Sequence, residues 1–198
     1  MPQRPTPHLT PPRPWQPLSD AEWAALLPFF SAGGPGRPVP DLRARMDAIF
    51  HTAATGQPWH ALPASFGKGD TVSRHFRRLT QAGLWQRLLI ALSLPGAPAA
   101  LRALEHWVCR ACRRATRLLG LRFIVLVRRL GFLSALNGPS WMVPDPDLSE
   151  TIRRFPLHLA LLPENCPRRG RNPVIALLMH LHRLCGGRRY IPRHLQPA

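Results

Sequence analysis

The stretch Asp70–Gln81, D-T-V-S-R-H-F-R-R-L-T-Q, decides how the chain is read. It follows Gly67 and Gly69 and stops just before Ala82-Gly83. Asp70 or Thr71 is placed to cap the first free N–H groups of a helix, and Gly83 falls where a helix ends. Val72, Phe76 and Leu79 recur at i, i+4 and i+7, one apolar stripe of a helix. Arg74, Arg77, Arg78 and Gln81 fall on the opposite face. This pattern predicts a short helix with a small core stripe and an outward row of guanidiniums. The planar fork of Arg can bond guanine edges in pairs or grip phosphates, and Gln can pair with adenine. The competing reading is a solvated charged face on an ordinary surface helix. The neighbouring sequence decides between them.

At 198 residues the chain can hold one modest core or two small ones. Its 27 Lys plus Arg against 10 Asp plus Glu leave a net charge of +17. Such a balance predicts attraction to a polyanion, nucleic acid first and an anionic membrane surface second. Lys68 is the only lysine, and there are 24 prolines. Both features fit a GC-rich coding sequence, so codon bias accounts for part of the Arg excess. The N-terminus, P-Q-R-P-T-P-H-L-T-P-P, has no apolar leader core. No run approaches the roughly 18 apolar residues of a spanning helix. Phe123 to Val127 is short and bracketed by Arg122, Arg128 and Arg129. The expectation is a soluble, intracellular chain whose four cysteines are reduced.

In chain order, residues 1–17 carry seven prolines and read as a disordered tail. Ser19 opens the first helix, with Glu22 three residues on as a capping box. Trp23, Leu26, Leu27 and Phe30 form its apolar face, and Gly33 to Pro40 is a loop. Asp41 caps a second helix, about Leu42 to Ala54, whose stripe is Leu42, Met46, Ile49, Phe50 and Ala53; Gly56 ends it. In Gly56 to Pro63 the prolines hold the backbone extended while Trp59 and Leu62 plug back into the core. The Asp70 helix follows, then a fourth over Trp85–Leu92. These helices predict a helix-turn-helix type bundle at 18–92. Its expected core is Trp23, Leu26, Ile49, Phe50, Trp59, Val72, Phe76, Leu79, Trp85 and Leu88.

Residues 93–97 read as a joint. Beyond it, Leu101, Leu104, Val108, Ala111, Cys112, Ala115, Leu118 and Leu119 repeat at helical spacing, with Arg102, Arg110, Arg113, Arg114 and Arg117 on the other side. Residues 93–198 hold 17 of the 27 basic residues and 5 of the 10 acidic ones, so +12 of the +17 lies here. After Leu136-Asn137-Gly138-Pro139 the chain is broken by prolines as far as Pro173 and reads as irregular. Val174 to Leu184 is a further short apolar helix, and the C-terminal residues fray. The fold expected is mainly α: a small bundle, then a basic, mostly helical region at 98–198.

Several stretches, taken together, resemble a known family. They are L-S-D-A-E-W-A-A-L-L-P-F-F (Leu18 to Phe30), Gly36 to Pro38, D-A-I-F-H-T-A-A-T-G-Q-P-W-H-A-L-P (Asp47 to Pro63), and T-V-S-R-H-F-R-R-L-T-Q-A-G-L-W-Q-R-L (Thr71 to Leu88). In order and spacing they are similar to the N-terminal domain of bacterial insertion-sequence transposases of the insertion-sequence-five family, in the DDE superfamily. The resemblance covers roughly residues 17–92. It implies a DNA-binding domain for an element's terminal repeats. In that family a ribonuclease-H-like domain follows, using two Asp, a Glu and divalent metal ions. Past residue 92 this chain offers only Glu105, Asp145, Asp147, Glu150 and Glu164, with no Asp-Ser/Gly-Thr strand start. Asp145 and Asp147 read as turn residues beside prolines. The expectation is therefore a truncated, frameshifted or specialised transposase product that binds DNA without cutting it.

Other chemistries fit less well. Cys109-x-x-Cys112 lies inside an amphipathic helix, and Cys166 and Cys185 lack knuckle partners, so buried thiols are expected rather than zinc. His180 and His182 point to different helix faces. His51, His60 and His75 have no acid or nucleophile spaced for a triad, and His75 either flanks the DNA face or is a surface histidine. No cofactor, metal or small-molecule substrate is expected. The arginine-lined helix at 98–120 also describes an interfacial membrane helix, but adsorption to lipid does not need the bundle at 18–92. The reading that results is a DNA-binding protein of a transposable element in the bacterial cytoplasm, associated with the nucleoid. Its rivals are an active DDE-type nuclease, a membrane-surface protein and a decayed fragment. Thr71, Ser73, Arg74, Arg77, Arg78 and Gln81 are expected at the major groove. Lys68, Arg43, Arg45 and the arginines of 102–117 are expected on phosphates. Homodimerisation stays open.

Overall fold

A computed structural model describes residues 6–30, 41–154 and 173–187. Among them there are nine α-helices, short 3-10 turns and no strands, so the mainly α expectation holds. They fall into two compact units, divided between Asn137 and Gly138.

In the first unit, α1 (Asp20–Leu26) begins as expected. Ser19 Oγ accepts from the Glu22 N–H, and the Glu22 carboxylate accepts from the Ser19 N–H, 2.9 Å. Helix α2 (Leu42–Thr55) is capped by Asp41, whose carboxylate accepts from the Ala44 N–H at 2.8 Å. It stops at Gly56, which adopts the left-handed conformation (φ 75°) that residues with a Cβ avoid. Two 3-10 turns, Trp59–Ala61 and Ala64–Phe66, lead to α3 (Gly69–Gln81). Neither Asp70 nor Thr71 caps α3. The cap position is Lys68, two residues before Asp70, and no side chain bonds the free amides there. A two-residue turn through Gly83 starts α4 (Leu84–Ser93).

The chain does not come apart at 93–97. The expected helix at 98–120 is two pieces, α5 (Ala99–Ala103) and α6 (Glu105–Leu119), and α6 packs against α2, α3 and α4. Its buried face includes Leu104, Val108, Ala111, Cys112 and Ala115, as the periodicity requires, together with Trp107. Each such large apolar side chain removed from water contributes about 1.5–3 kcal/mol. Helix α6 is therefore part of the bundle and not an appended arm. Helix α7 (Leu121–Arg129) and a turn at Leu133–Ala135 complete the unit.

The proline-rich segment is also not a free tail over residues 6–17. Prolines keep it extended, and it lies as a strap on the unit. The His8 N–H donates to Gly131 O (2.9 Å), and His8 O accepts from the Leu133 N–H (3.2 Å). The Thr10 hydroxyl donates to Glu105 (2.5 Å). Arg13 pairs with buried Glu22 at 2.7 Å, stacks 4.0 Å from the Trp107 ring, and donates to Ala103 O. Trp15 sits edge-on to His51 and Phe66. Composition signals an absence of helix here, not an absence of packing.

The second unit contains α8 (Pro146–Arg154), in a region read as irregular, and α9 (Pro173–Cys185), as expected. Asp145 starts α8 by accepting from the Leu148 N–H at 3.1 Å, and its own N–H donates to Cys185 O. Asp145 therefore caps a helix and Asp147 lies inside its first turn, where turn residues beside prolines were expected, because Pro146 suits the first helical position. The loop expected at Gly33–Pro40, Cys166, Glu164 and the frayed C-terminus lie outside the described residues.

Candidate nucleic-acid interface

Helix α3 is held from beneath by a chain of aromatic rings. Phe76 lies 5.3 Å from Trp59 in the preceding turn and 5.4 Å from Trp85 on α4. Trp85 meets Phe50 of α2 at 6.4 Å, and Phe50 meets Trp107 of α6 at 5.8 Å. Thr80, fully buried, donates to Phe76 O and accepts from the Trp85 indole N–H, both at 2.8 Å. The inner face of α3 is thus Val72, His75, Phe76 and Thr80, with Leu79 half-buried at its edge.

His75 is not a surface residue. It is 7% exposed, and neither ring nitrogen has a partner in the described structure. Burial, with Arg78 and Arg45 nearby, lowers its pKa to about 4, so the ring is neutral at pH 7. The signal for this was available in the sequence: 72, 75, 76 and 80 fall at i, i+3, i+4 and i+8.

On the outer face Arg74, Arg77, Arg78 and Gln81 are all exposed, and Thr71 and Ser73 are half-buried. At 100° per residue, Thr71, Arg74, Arg77, Arg78 and Gln81 share an arc of about 120°, while Ser73 lies further round, near the Thr80 side. Among the described residues no ion pair involves Arg74, Arg77 or Arg78; Arg74 makes one long bond, 3.4 Å, to its own helix at Asp70 O. Lys68 is exposed at the helix start, and Arg45 on α2 is close enough to act on His75.

Other arginines expected on phosphates are engaged elsewhere. Arg43 pairs with Asp20 at 2.6 Å and donates to Leu18 O, fastening α2 to the start of α1. Arg102 donates to Pro95 O. Arg110 and Arg114 donate to Ala53 O (3.2 Å) and Thr52 O (3.0 Å), carbonyls of the last turn of α2, and Arg113 donates to Ser134 O (2.6 Å). Burial pushes the pKa of all three down, and the carbonyls they bond, at the end of α2 for Arg110 and Arg114 and at Ser134 for Arg113, make charge tolerable there. Helical periodicity put these residues opposite the apolar stripe, but neighbouring elements partly cover Arg110, Arg113 and Arg114, while Arg102 and Arg117 are exposed.

The helix-turn-helix expectation is not met in its connection. The connection between α2 and α3 is long, and the tight turn follows the arginine helix instead of preceding it, whereas the motif has a turn of three or four residues before its reading helix.

Past residue 92, the described acids have their own local partners. Glu105 is held by Thr10 and by His8, 2.9 Å away, and Glu150 pairs with Arg154 on its own helix. Among the described residues no three His, Cys, Asp or Glu side chains are grouped to hold a metal ion. Cys109 and Cys112 are buried thiols, and burial pushes Cys109 up to about 12. No helix among these residues is long and apolar enough to cross a membrane. No curated protein and no solved structure matches the chain. Residues 18–89, the stretch that carries the arginine helix, match the family described as "Putative transposase of IS4/5 family (DUF4096)".

Proposed function

We propose that the chain is a DNA-binding protein of a transposable element that recognises the element's terminal repeats through α3 and does not itself cut DNA. The observation that carries the reading is the outer face of α3. Three guanidiniums and an amide stand in solvent, free of acidic partners, on a helix whose inner face is locked to three other helices. A rigid element with unspent donors suits base-edge contacts, which need fixed geometry. Arg74, Arg77, Arg78 and Gln81, with Thr71 beside them, meet the major groove, and Ser73 serves at the margin. Lys68 and Arg45 hold phosphates, which supply affinity without sequence information. Arg43 contributes by fixing α1 to α2. Such a protein works on the bacterial nucleoid, in the cytoplasm.

The test is binding of the full chain to a short duplex from the flanks of its own gene, against a scrambled duplex, at two salt concentrations. Preference for the flank that survives higher salt is the expected result. Equal binding that collapses with salt reduces the protein to a basic chain on phosphate. Arg74→Ala or Arg77→Ala is expected to cost about 1–3 kcal/mol on the flank duplex and little on the scrambled one. Equal loss on both makes them phosphate clamps.

A further inference from the structure

We infer that Arg114, on α6 and beyond the family-matched residues, is a positioning residue for the arginine face of α3 and not a phosphate contact. The inference rests on the DNA-binding reading above. Arg114 donates to Thr52 O at 3.0 Å, at the end of α2, and to Gln57 O at 2.5 Å, just past Gly56. Its guanidinium also lies 5.1 Å from the centre of the Trp59 ring. One side chain thus bridges the end of α2 and the first half of the connection to α3.

That connection is the seat of α3. The opposite partner of Trp59 is Phe76 on α3, and the Trp59 backbone runs directly under Gly69, where a Cβ would come within 2.0 Å of its carbonyl oxygen. Arg114 therefore reaches α3 through Trp59 in two ways, by ring contact and by backbone contact. One nitrogen, Nη2, donates to both carbonyls while the guanidinium carbon lies over the Trp59 ring. A lysine ammonium ends one bond short of Nη2 and has no delocalised plane to set against the ring, so it does not reproduce both contacts. Among the described residues Arg114 has no acidic partner, and Arg110 and Arg117 lie near it. Its charge is spent on carbonyl dipoles and the ring.

The experiment uses the full chain with Arg114→Met, Arg114→Lys and Trp59→Leu. The probes are the gene-flank duplex and its scrambled version, titrated with salt, with hydrogen exchange of backbone amides 57–72 alongside. Loss of register across several base contacts lowers the flank-to-scramble preference by about tenfold or more in R114M. The slope of log K against log salt stays at the wild-type value, and exchange at 57–72 quickens. R114K, keeping the charge on a shorter side chain without the guanidinium plane, does not restore the preference, and W59L reproduces the pattern with Arg114 intact. A slope reduced by about one unit makes Arg114 a phosphate contact and overturns the inference. Unchanged exchange at 57–72 overturns it too, whatever the DNA result. A wild-type chain without flank preference instead ends the DNA-binding reading, so the two failures separate. If R114M does not fold, R114K and W59L carry the same comparison.

Discussion

Gly69→Ala is the most telling single change, because local and tertiary physics disagree on its sign. Within a helix, Ala is favoured over Gly by about 1 kcal/mol. Here the added Cβ lies 2.0 Å from Trp59 O and 2.8 Å from its carbonyl carbon, whereas real Cβ contacts stay beyond 3.0 Å. Backbone must move by about an ångström. The obstacle is not a flexible side-chain end: Trp59 is held by Phe76 and Arg114 and starts a 3-10 turn after Pro58. Overpacking of this kind costs about 1–3 kcal/mol or more, against the 1 kcal/mol gained, so net destabilisation of about 0–2 kcal/mol or more is expected. Gly96→Ala is the control. It has nothing within 4 Å and no left-handed backbone, so it is expected to be neutral or to stabilise by up to about 1 kcal/mol. The assay is urea unfolding followed by tryptophan fluorescence, with the midpoints of wild type, G69A and G96A compared. A midpoint for G69A above wild type, as the helix preference for Ala alone would give, refutes the close seating of α3 on Trp59.

Three further outcomes follow from the same geometry. The folded-state pKa of His75 is depressed to about 4 from 6.5, so its neutral burial contributes stability that is full above pH 6.5 and is lost as pH falls toward 4. His75→Leu is expected to remove about 3 kcal/mol of acid sensitivity over that window; parallel pH profiles of unfolding for the two proteins would exclude it. Arg13→Ala strips buried Glu22 of its cation and Trp107 of its cover, and should lower stability by about 1–3 kcal/mol in the same urea assay. No change there means the strap does not dock. Cys109 and Cys112, buried and with raised pKa, should resist a thiol-alkylating reagent in the native protein and react once urea unfolds it, read by peptide mass; rapid native labelling contradicts their burial.

Legibility differed with the range of the interaction. The capping box at Ser19–Glu22, the Asp41 cap, the Gly56 stop and the outward row on α3 were readable because each depends on residues within a turn of one another. Trp23, Trp59 and Leu79, expected in the core, are only half-buried, whereas Leu26, Ile49, Phe50, Val72, Phe76, Trp85 and Leu88 are buried as expected. His75 was misread because a titratable side chain on the flank of an apolar stripe looks polar until a second element covers it. The strap at 6–17 was misread because proline content speaks of backbone hydrogen bonds and not of where an extended chain lies.

What the sequence by itself determined is the four helices up to residue 93 and the arginine face of α3, since period, caps and glycine stops act locally and survive any packing. Tertiary structure alone decided which arginines are free. Those of α3 and of α6 carry the same pattern in one dimension. The former look into solvent, and Arg110, Arg113 and Arg114 are folded onto the carbonyls of distant segments. A guanidinium's partner can lie many residues away in the chain, and no periodicity within its own helix reports it.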